Sequence, residues 1–266
     1  MAKYNKIVPR RRSKMEELEM GELFWEIHSG NPREGPGEFQ FTKKAFDMLK
    51  DLPFHPRILD IGCGPGTQTI DLSLLTDGSI IAIDNHPQFL EDLGQKIRQN
   101  GLTDRITPYL GNMCDLHFEE GTFDIIWAEG SIYIIGFEKG FMQWRPFLKD
   151  RGYLVASELT WLRSDAPEEI KEYFIKEYPG MQDIEGNLRI IQGSGYRHIG
   201  HFVLPMSAWW CYYSPLEEKI SQLRPKYEGL PGALAVLEDH RREIDIFKRY
   251  SEYYGFVFYV AQLDSG

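Results

Sequence analysis

Cysteine, long apolar runs and positive charge are all scarce in this chain, and each scarcity removes a class of protein. Its three cysteines, Cys63, Cys114 and Cys211, are odd in number and far apart. Neither a disulfide framework nor a Cys-x-x-Cys metal site is therefore expected, and buried free thiols are the reading. No apolar run reaches the roughly 20 residues that a membrane span needs. Met1 to Pro9 carries positive charge with no apolar segment behind it, so the expectation is a cytoplasmic protein without a membrane partner. With 30 Lys and Arg against 40 Asp and Glu, the net charge of -10 repels phosphate backbones and argues against a nucleic-acid partner. Arg10-Arg11-Arg12 is the one basic run, and with no aromatic residue interleaved it reads as a solvated tail. His198 and His201 are three apart on an expected strand, a spacing that points them to opposite faces, so no metal is expected there.

What remains is the composition of one large core with an appended subdomain: 266 residues, 42% hydrophobic and 14% aromatic. The stretch that organises it is Ile58-Leu59-Asp60-Ile61-Gly62-Cys63-Gly64-Pro65-Gly66-Thr67. Ile58, Leu59 and Ile61 form the apolar run of a parallel strand covered on both faces, and Gln68 to Leu75 then takes helical spacing. Glycines at alternate positions free the backbone between them and let a ligand approach the main chain. The N–H groups that open the next helix are expected to face that ligand.

Spacing separates two nucleotide cofactors. A dinucleotide loop wants its third glycine at position 67, which here is Thr67; the glycine falls instead at Gly66. Gly78 to Asp84 is a second strand that ends in an acid, and a carboxylate there, with Asn85 after it, suits the two hydroxyls of a ribose. Arg105 to Gly111 is a third strand, followed by Asn112 and Met113, an amide and a soft apolar side chain. Phe123 to Ala128 is a fourth strand, ending beside Glu129.

The G-x-G-x-G spacing after Asp60, the acid at Asp84, the Asn112-Met113 pair and Gly121-Thr122-Phe123-Asp124, in that order, resemble the class I S-adenosylmethionine (SAM) dependent methyltransferases. Glu129 to Gly140, Ser157 to Trp161 and Tyr253 to Tyr259 further resemble a small-molecule branch related to the ubiquinone and menaquinone biosynthesis methyltransferases. Asn112 departs from the acid usual at its position. The resemblance implies an α/β, seven-stranded Rossmann-like fold, mostly parallel with an antiparallel edge hairpin. It also implies SAM as the cofactor, bound by Asp60, Gly62, Cys63, Gly64, Gly66, Thr67, Asp84, Asn85, Asn112, Met113 and Glu129. Gly35, in the Gly35-Pro36-Gly37 turn, resembles a segment that borders the SAM pocket. The Asn/Asp-Pro-Pro-aromatic signature of nucleic-acid amino methylation is missing after the fourth strand.

Residues 1–50 are expected to form an N-terminal helical lid, from the apolar side of Lys14 to His28 and a helix over Phe41 to Leu49. Residues 51–204 and 255–266 form the α/β core. Gly152 to Glu158, Arg197 to Leu204 and Phe256 to Gln262 supply its last strands, and a helix over Pro167 to Tyr178 is capped by Asp165 or Ser164. Residues 205–254 form a helical cap insertion, with helices over Pro215 to Arg224 and Leu234 to Tyr250. In-line methyl transfer is governed by positioning, and if the acceptor must lose a proton the candidate bases are Glu129 first, then Glu158 and His201. Tyr133, Trp161, Trp209, Trp210 and Tyr213, with Tyr212, suit an amine-bearing or flat aromatic acceptor, or else pack the cap onto the core. The expected activity is methyl transfer to a small molecule at nitrogen, oxygen, sulfur or carbon, by a monomer or homodimer. The alternatives are a protein that keeps SAM or S-adenosylhomocysteine without transfer and an NAD-dependent oxidoreductase.

Overall fold

The computed structural model describes residues 14–264, with side chains from Gly21 onward. Arg10-Arg11-Arg12 and the expected apolar positions Met15, Leu18 and Met20 lie outside that description. Helices α1 (Lys14–His28) and α2 (Phe39–Phe46) precede β1 (Arg57–Ile61), α3 (Thr67–Leu75), β2 (Ser79–Asp84), α4 (Pro87–Gln99), β3 (Ile106–Leu110) and β4 (Phe123–Glu129). Then come α5 (Phe137–Trp144), β5 (Leu148–Trp161), α6 (Glu168–Glu177), α7 (Ile184–Gly193) and β6 (Tyr196–Val203), followed by α8 (Met206–Leu223), α9 (Pro231–Tyr250) and β7 (Tyr254–Leu263).

The seven strands form one sheet in the order β3-β2-β1-β4-β5-β7-β6. β1 to β5 pair in parallel, and β7 runs antiparallel to both β5 and β6. The chain direction reverses only where β7 is inserted, so the expected antiparallel pair is present with β6, not β7, on the edge. The burial pattern explains the apolar strands: every residue of β4 and all but the last of β7 are buried, as a sheet covered on both faces requires. One face packs Leu23, Ala45, Leu72, Trp209 and Phe247 from α1, α2, α3, α8 and α9 against Trp127 of β4. The other packs Ile132, Phe137, Phe141, Trp144, Ile191 and Tyr259 against α5 and α7. Each such fully buried large side chain contributes about 2–3 kcal/mol of transfer free energy.

Three local expectations are corrected. α6 starts at Glu168 with Pro167 in the cap position and no side-chain cap, because Asp165 is occupied by Arg163 (Oδ2 to Nη2, 2.7 Å). α8 begins at Met206 rather than Pro215, which sits inside the helix, because the turn before the proline buries Ala208, Trp209 and Tyr213. On β6 the register slips between His198 and Gly200, and this irregularity brings both histidines to one side, with His201 Nδ1 3.1 Å from His198 Nε2. Among the described residues no group of three or more His, Cys, Asp or Glu has the geometry to hold a metal, and no helix is long and apolar enough to cross a membrane.

α1, α8 and α9 form one layer. Lys226 reaches Glu26 at 2.5 Å, Lys219 donates to the Ser29 carbonyl, and His28 Nε2 meets His240 Nε2 at 3.1 Å. The segment between α1 and α2 is thereby anchored over the carboxyl ends of β1, β2 and β4, where ligands of open α/β sheets bind.

Candidate functional site

The turn from β1 to α3 takes positive φ at Gly62 (+75°), Gly64 (+52°) and Gly66 (+84°). Two of these glycines also answer to packing. A Cβ on Gly62 would lie 2.4 Å from that of Ser131, and one on Gly66 would lie 2.3 Å from Leu93 Cδ1. Gly64 differs, because the nearest atoms to a Cβ there belong to Glu34, at 3.7 and 3.9 Å. The amides of the turn are spent within the protein. Gly62 and Cys63 donate to the Ile83 carbonyl (2.8 and 2.9 Å), Gly66 donates to the Cys63 carbonyl (3.0 Å) and Gly64 donates to Asp84 Oδ2 (2.9 Å). These turn amides are therefore engaged within the protein, and the cradle in the turn is made by missing side chains. Cys63 points into the core, where burial pushes its thiol well above its ordinary range, whereas Cys114 and Cys211 are exposed, which corrects the expectation of buried thiols. Thr67 donates to the Pro32 carbonyl and accepts from Lys96 Nζ at 3.0 Å.

Beneath the turn, Asp60 is fully buried; its Oδ2 accepts from Thr69 at 2.6 Å and its Oδ1 has no partner. Burial raises its carboxyl to about 7, against the opposing Thr69 bond. At the tip of β2, Asp84 Oδ1 accepts from the His86 amide at 2.9 Å, and burial raises this carboxyl despite the amide bonds it accepts. Asn85 is exposed. After β3, Met113 places its Cε 3.5 Å from the Cβ position of Gly62, against the turn. Asn112 is exposed and uses its side-chain oxygen in its own turn, accepting from the Cys114 amide at 3.0 Å.

A strap from Arg33 to Gly37 lies on this surface. Arg33 Nη1 binds Glu129 Oε1 at 2.9 Å while its Nη2 holds Asp71. The other Glu129 oxygen accepts from Thr42 Oγ1 (3.1 Å) and Trp127 Nε1 (3.3 Å). Both oxygens of Glu129 are thus engaged, a geometry that fits a strut between strap and sheet better than a base. Glu34 is bound by one oxygen to His28 Nδ1, and its other oxygen is buried without a partner. Burial first, and the Asp84 charge second, raise Glu34 to about 9. Gly35 and Pro36 complete the cover, and the space left between strap and turn is about 40 Å³. A drug-sized ligand needs roughly 300 Å³ or more. The surface under the strap, with an open face at Gly64, an acid at Asp84 and Met113 to one side, has the shape and chemistry for an adenosyl ligand once the strap moves.

Near the end of β5, Glu158 is 1% exposed and neither of its oxygens has a hydrogen-bond partner within 3.5 Å. Burial raises it to about 8, with the Tyr178 hydroxyl and the Leu159 amide holding back part of the rise. The rings of Tyr133 and Tyr178 meet edge to face at 6.1 Å. Trp161 lies edge-on to Phe174 at 5.4 Å and lines a second cavity. The other expected residues are elsewhere. Trp209 stacks on Phe247 at 4.3 Å and Tyr213 bonds Glu243 Oε1 at 3.2 Å, both buried in the cap's core, and Trp210 sits beside them under Lys248. His201 is three strands from β4, roughly 14 Å at ordinary strand spacing. Arg33, Glu34, His28 and Tyr178 were not legible as site residues, and the only hint was a charged pair set into a Gly-Pro turn.

Residues 58–152 match a family described as a methyltransferase domain. A demethylmenaquinone methyltransferase from Lactiplantibacillus plantarum is 34% identical over 77 residues, covering 28% of this chain and 32% of that protein. Matches to the curated relatives at the head of the comparison cover only 29%, 34% and 44% of their lengths. A SAM-dependent methyltransferase from Geobacter sulfurreducens, solved with S-adenosylhomocysteine, superposes with a TM-score of 0.78 at 16% identity, covering 90% of this chain and 97% of that one. The [4+2]-cyclase SpnF superposes with a TM-score of 0.71 at 15% identity, covering 95% and 96%. Residues 58–152 are thus similar to a methyltransferase domain, and the superpositions show that the chain shares the fold of these solved structures.

Proposed function

We propose that the protein transfers a methyl group from SAM to a small-molecule acceptor. The observation that carries this reading is the join between the glycine turn and β2, where Asp84 is fixed by the Gly64 and His86 amides on the face of the turn that Glu34 of the strap covers. When bound, SAM supplies a methyl carbon on a sulfonium, already activated for displacement. Asp84 would hold the ribose hydroxyls, Met113 would lie against the adenine, and Gly62 to Gly66 would admit the chain between them. Strap closure over the turn would exclude water. Positioning then supplies most of the acceleration, as holding two reactants in line replaces the entropy of bringing them together. The relatives named above, one a demethylmenaquinone methyltransferase and one solved with S-adenosylhomocysteine, support the same reading.

A second reading, a protein that retains a nucleoside ligand without methyl transfer, is favoured by the tightness of the strap and by the superposition on a protein named for a cycloaddition. Calorimetry with SAM, S-adenosylhomocysteine and NAD in parallel tests the cofactor; stronger binding of NAD overturns the assignment. Labelled SAM with fractionated cell extract tests the activity, and tight SAM binding with no label transferred in any fraction favours the second reading.

A further inference from the structure

A cavity of about 620 Å³ opens between α6, α7 and the end of β5, lined by Trp161, Lys171, Phe174, Ile175, Tyr178 and Asp183 among others. Its size is in the range of small-molecule sites, and its inner wall is aromatic. Behind that wall lies Glu158. Tyr178 both lines the cavity and acts on the Glu158 carboxyl, and Tyr133 meets Tyr178 ring to ring. Glu158 is also close to the donor surface. Glu129, the last residue of β4, is the register partner of Ser157, so Glu158 is the first β5 residue beyond the tip of β4. Ser157 Oγ accepts from the amide of Gly130, which lines the space beneath the strap, at 2.7 Å.

A buried carboxyl whose nearest donors, the Tyr178 hydroxyl and the Leu159 amide, stand beyond full hydrogen-bond distance is costly, and a bound ligand can complete its hydrogen bonds. A donor-rich cation is the complement of an acid ringed by tyrosines, whose faces attract positive charge. We propose that this cavity is the acceptor site, that it takes an amine carried on an aromatic body, and that Glu158 binds the amino group behind the Tyr133–Tyr178 pair. This rests on the methyltransferase reading and adds the substrate class to it. In turnover the ammonium gives one proton to the Glu158 carboxylate and the nitrogen lone pair forms the new bond to carbon. The electron pair of the breaking carbon–sulfur bond stays on sulfur, which leaves as a thioether.

The test uses phenethylamine and its near-isostere 2-phenylethanol, titrated into the full-length protein by calorimetry without SAM. SAM binding is measured separately, so that failure of the donor reading is seen apart from failure of this one. Wild type is expected to bind the amine at least tenfold more tightly than the alcohol. Glu158→Gln is expected to abolish that preference with SAM affinity unchanged. Ile175→Trp, at a position 65% exposed on the cavity rim, is expected to block the amine without touching Glu158. Equal binding of amine and alcohol, binding of neither, a preference that survives Glu158→Gln, or full amine binding in Ile175→Trp would overturn the proposal.

Discussion

Replacing Glu158 by Gln offers a direct measure of what its burial costs. The carboxyl is displaced from its ordinary 4.5 to about 8, and at about 1.4 kcal/mol per pH unit the fully developed penalty is about 5 kcal/mol. A folded-state value raised above the unfolded one leaves stability intact below pH 4.5 and drains it as pH climbs through 8. Over pH 5 to 9 the wild type should therefore lose about 4 kcal/mol through this one group. Gln does not ionise; its amide brings buried donors that cost about 1–3 kcal/mol, but this offset is the same at every pH. The quantity to compare is thus the difference between two stability curves, in which every other titrating group cancels. Urea unfolding of both proteins across that range should show the Gln variant gaining on wild type by about 4 kcal/mol, or about 1.3–2 M in midpoint for slopes near 2–3 kcal/mol/M. Curves that stay parallel from pH 5 to 9 would refute the burial argument and leave Glu158 with an ion partner or water access.

Asp84→Ala should weaken SAM binding by roughly 10- to 100-fold, the loss of one or two charge-assisted hydrogen bonds, with calorimetry as the check. Gly62→Ala should lower stability by about 2 kcal/mol or more, because φ is +75° and the new methyl would meet Ser131 at 2.4 Å; a melting temperature equal to wild type would contradict it. SAM binding should release protons at pH 7 if the strap moves, since Glu34 leaves a site that holds it at about 9 for water. Apparent affinity should then rise with pH up to about 9, and binding enthalpies should differ between phosphate and Tris buffers; identical enthalpies would mean that Glu34 stays in place. Arg33→Ala should destabilise by about 3–5 kcal/mol, because Glu129 would be left buried and Asp71 half-buried without their shared cation, as read by urea unfolding.

The parallel core was readable because its strands are apolar runs and its turn has glycines at three alternate positions, and both signals are local. Asp84 and Met113 also end up beside the glycine turn, because each follows a strand whose neighbours are fixed by the sheet. What escaped was set by contacts between distant segments. α7 went unrecognised although Asp183 caps it from its own side chain, accepting from the Gly186 amide at 2.7 Å. The histidines of β6 share a face through a register slip that strict alternation cannot show. Trp209 and Tyr213 look like ligand walls in sequence, yet packing against Phe247 and Glu243 from α9 takes them inward. Glu129 reads as a base until Arg33, 96 residues earlier, is seen bonded to it.

The strap makes the chain its own competitor for the donor surface. Any nucleoside that settles on the glycine turn must first evict Glu34 and outlast its return, so the measured dissociation constant equals the intrinsic one divided by the fraction of molecules with the strap lifted. A strap lifted in about 1% of molecules raises that constant about a hundredfold. Such a protein stays empty while donor is scarce and fills along an ordinary hyperbolic curve moved to higher concentration, its midpoint tuned by residues that never touch the methyl group.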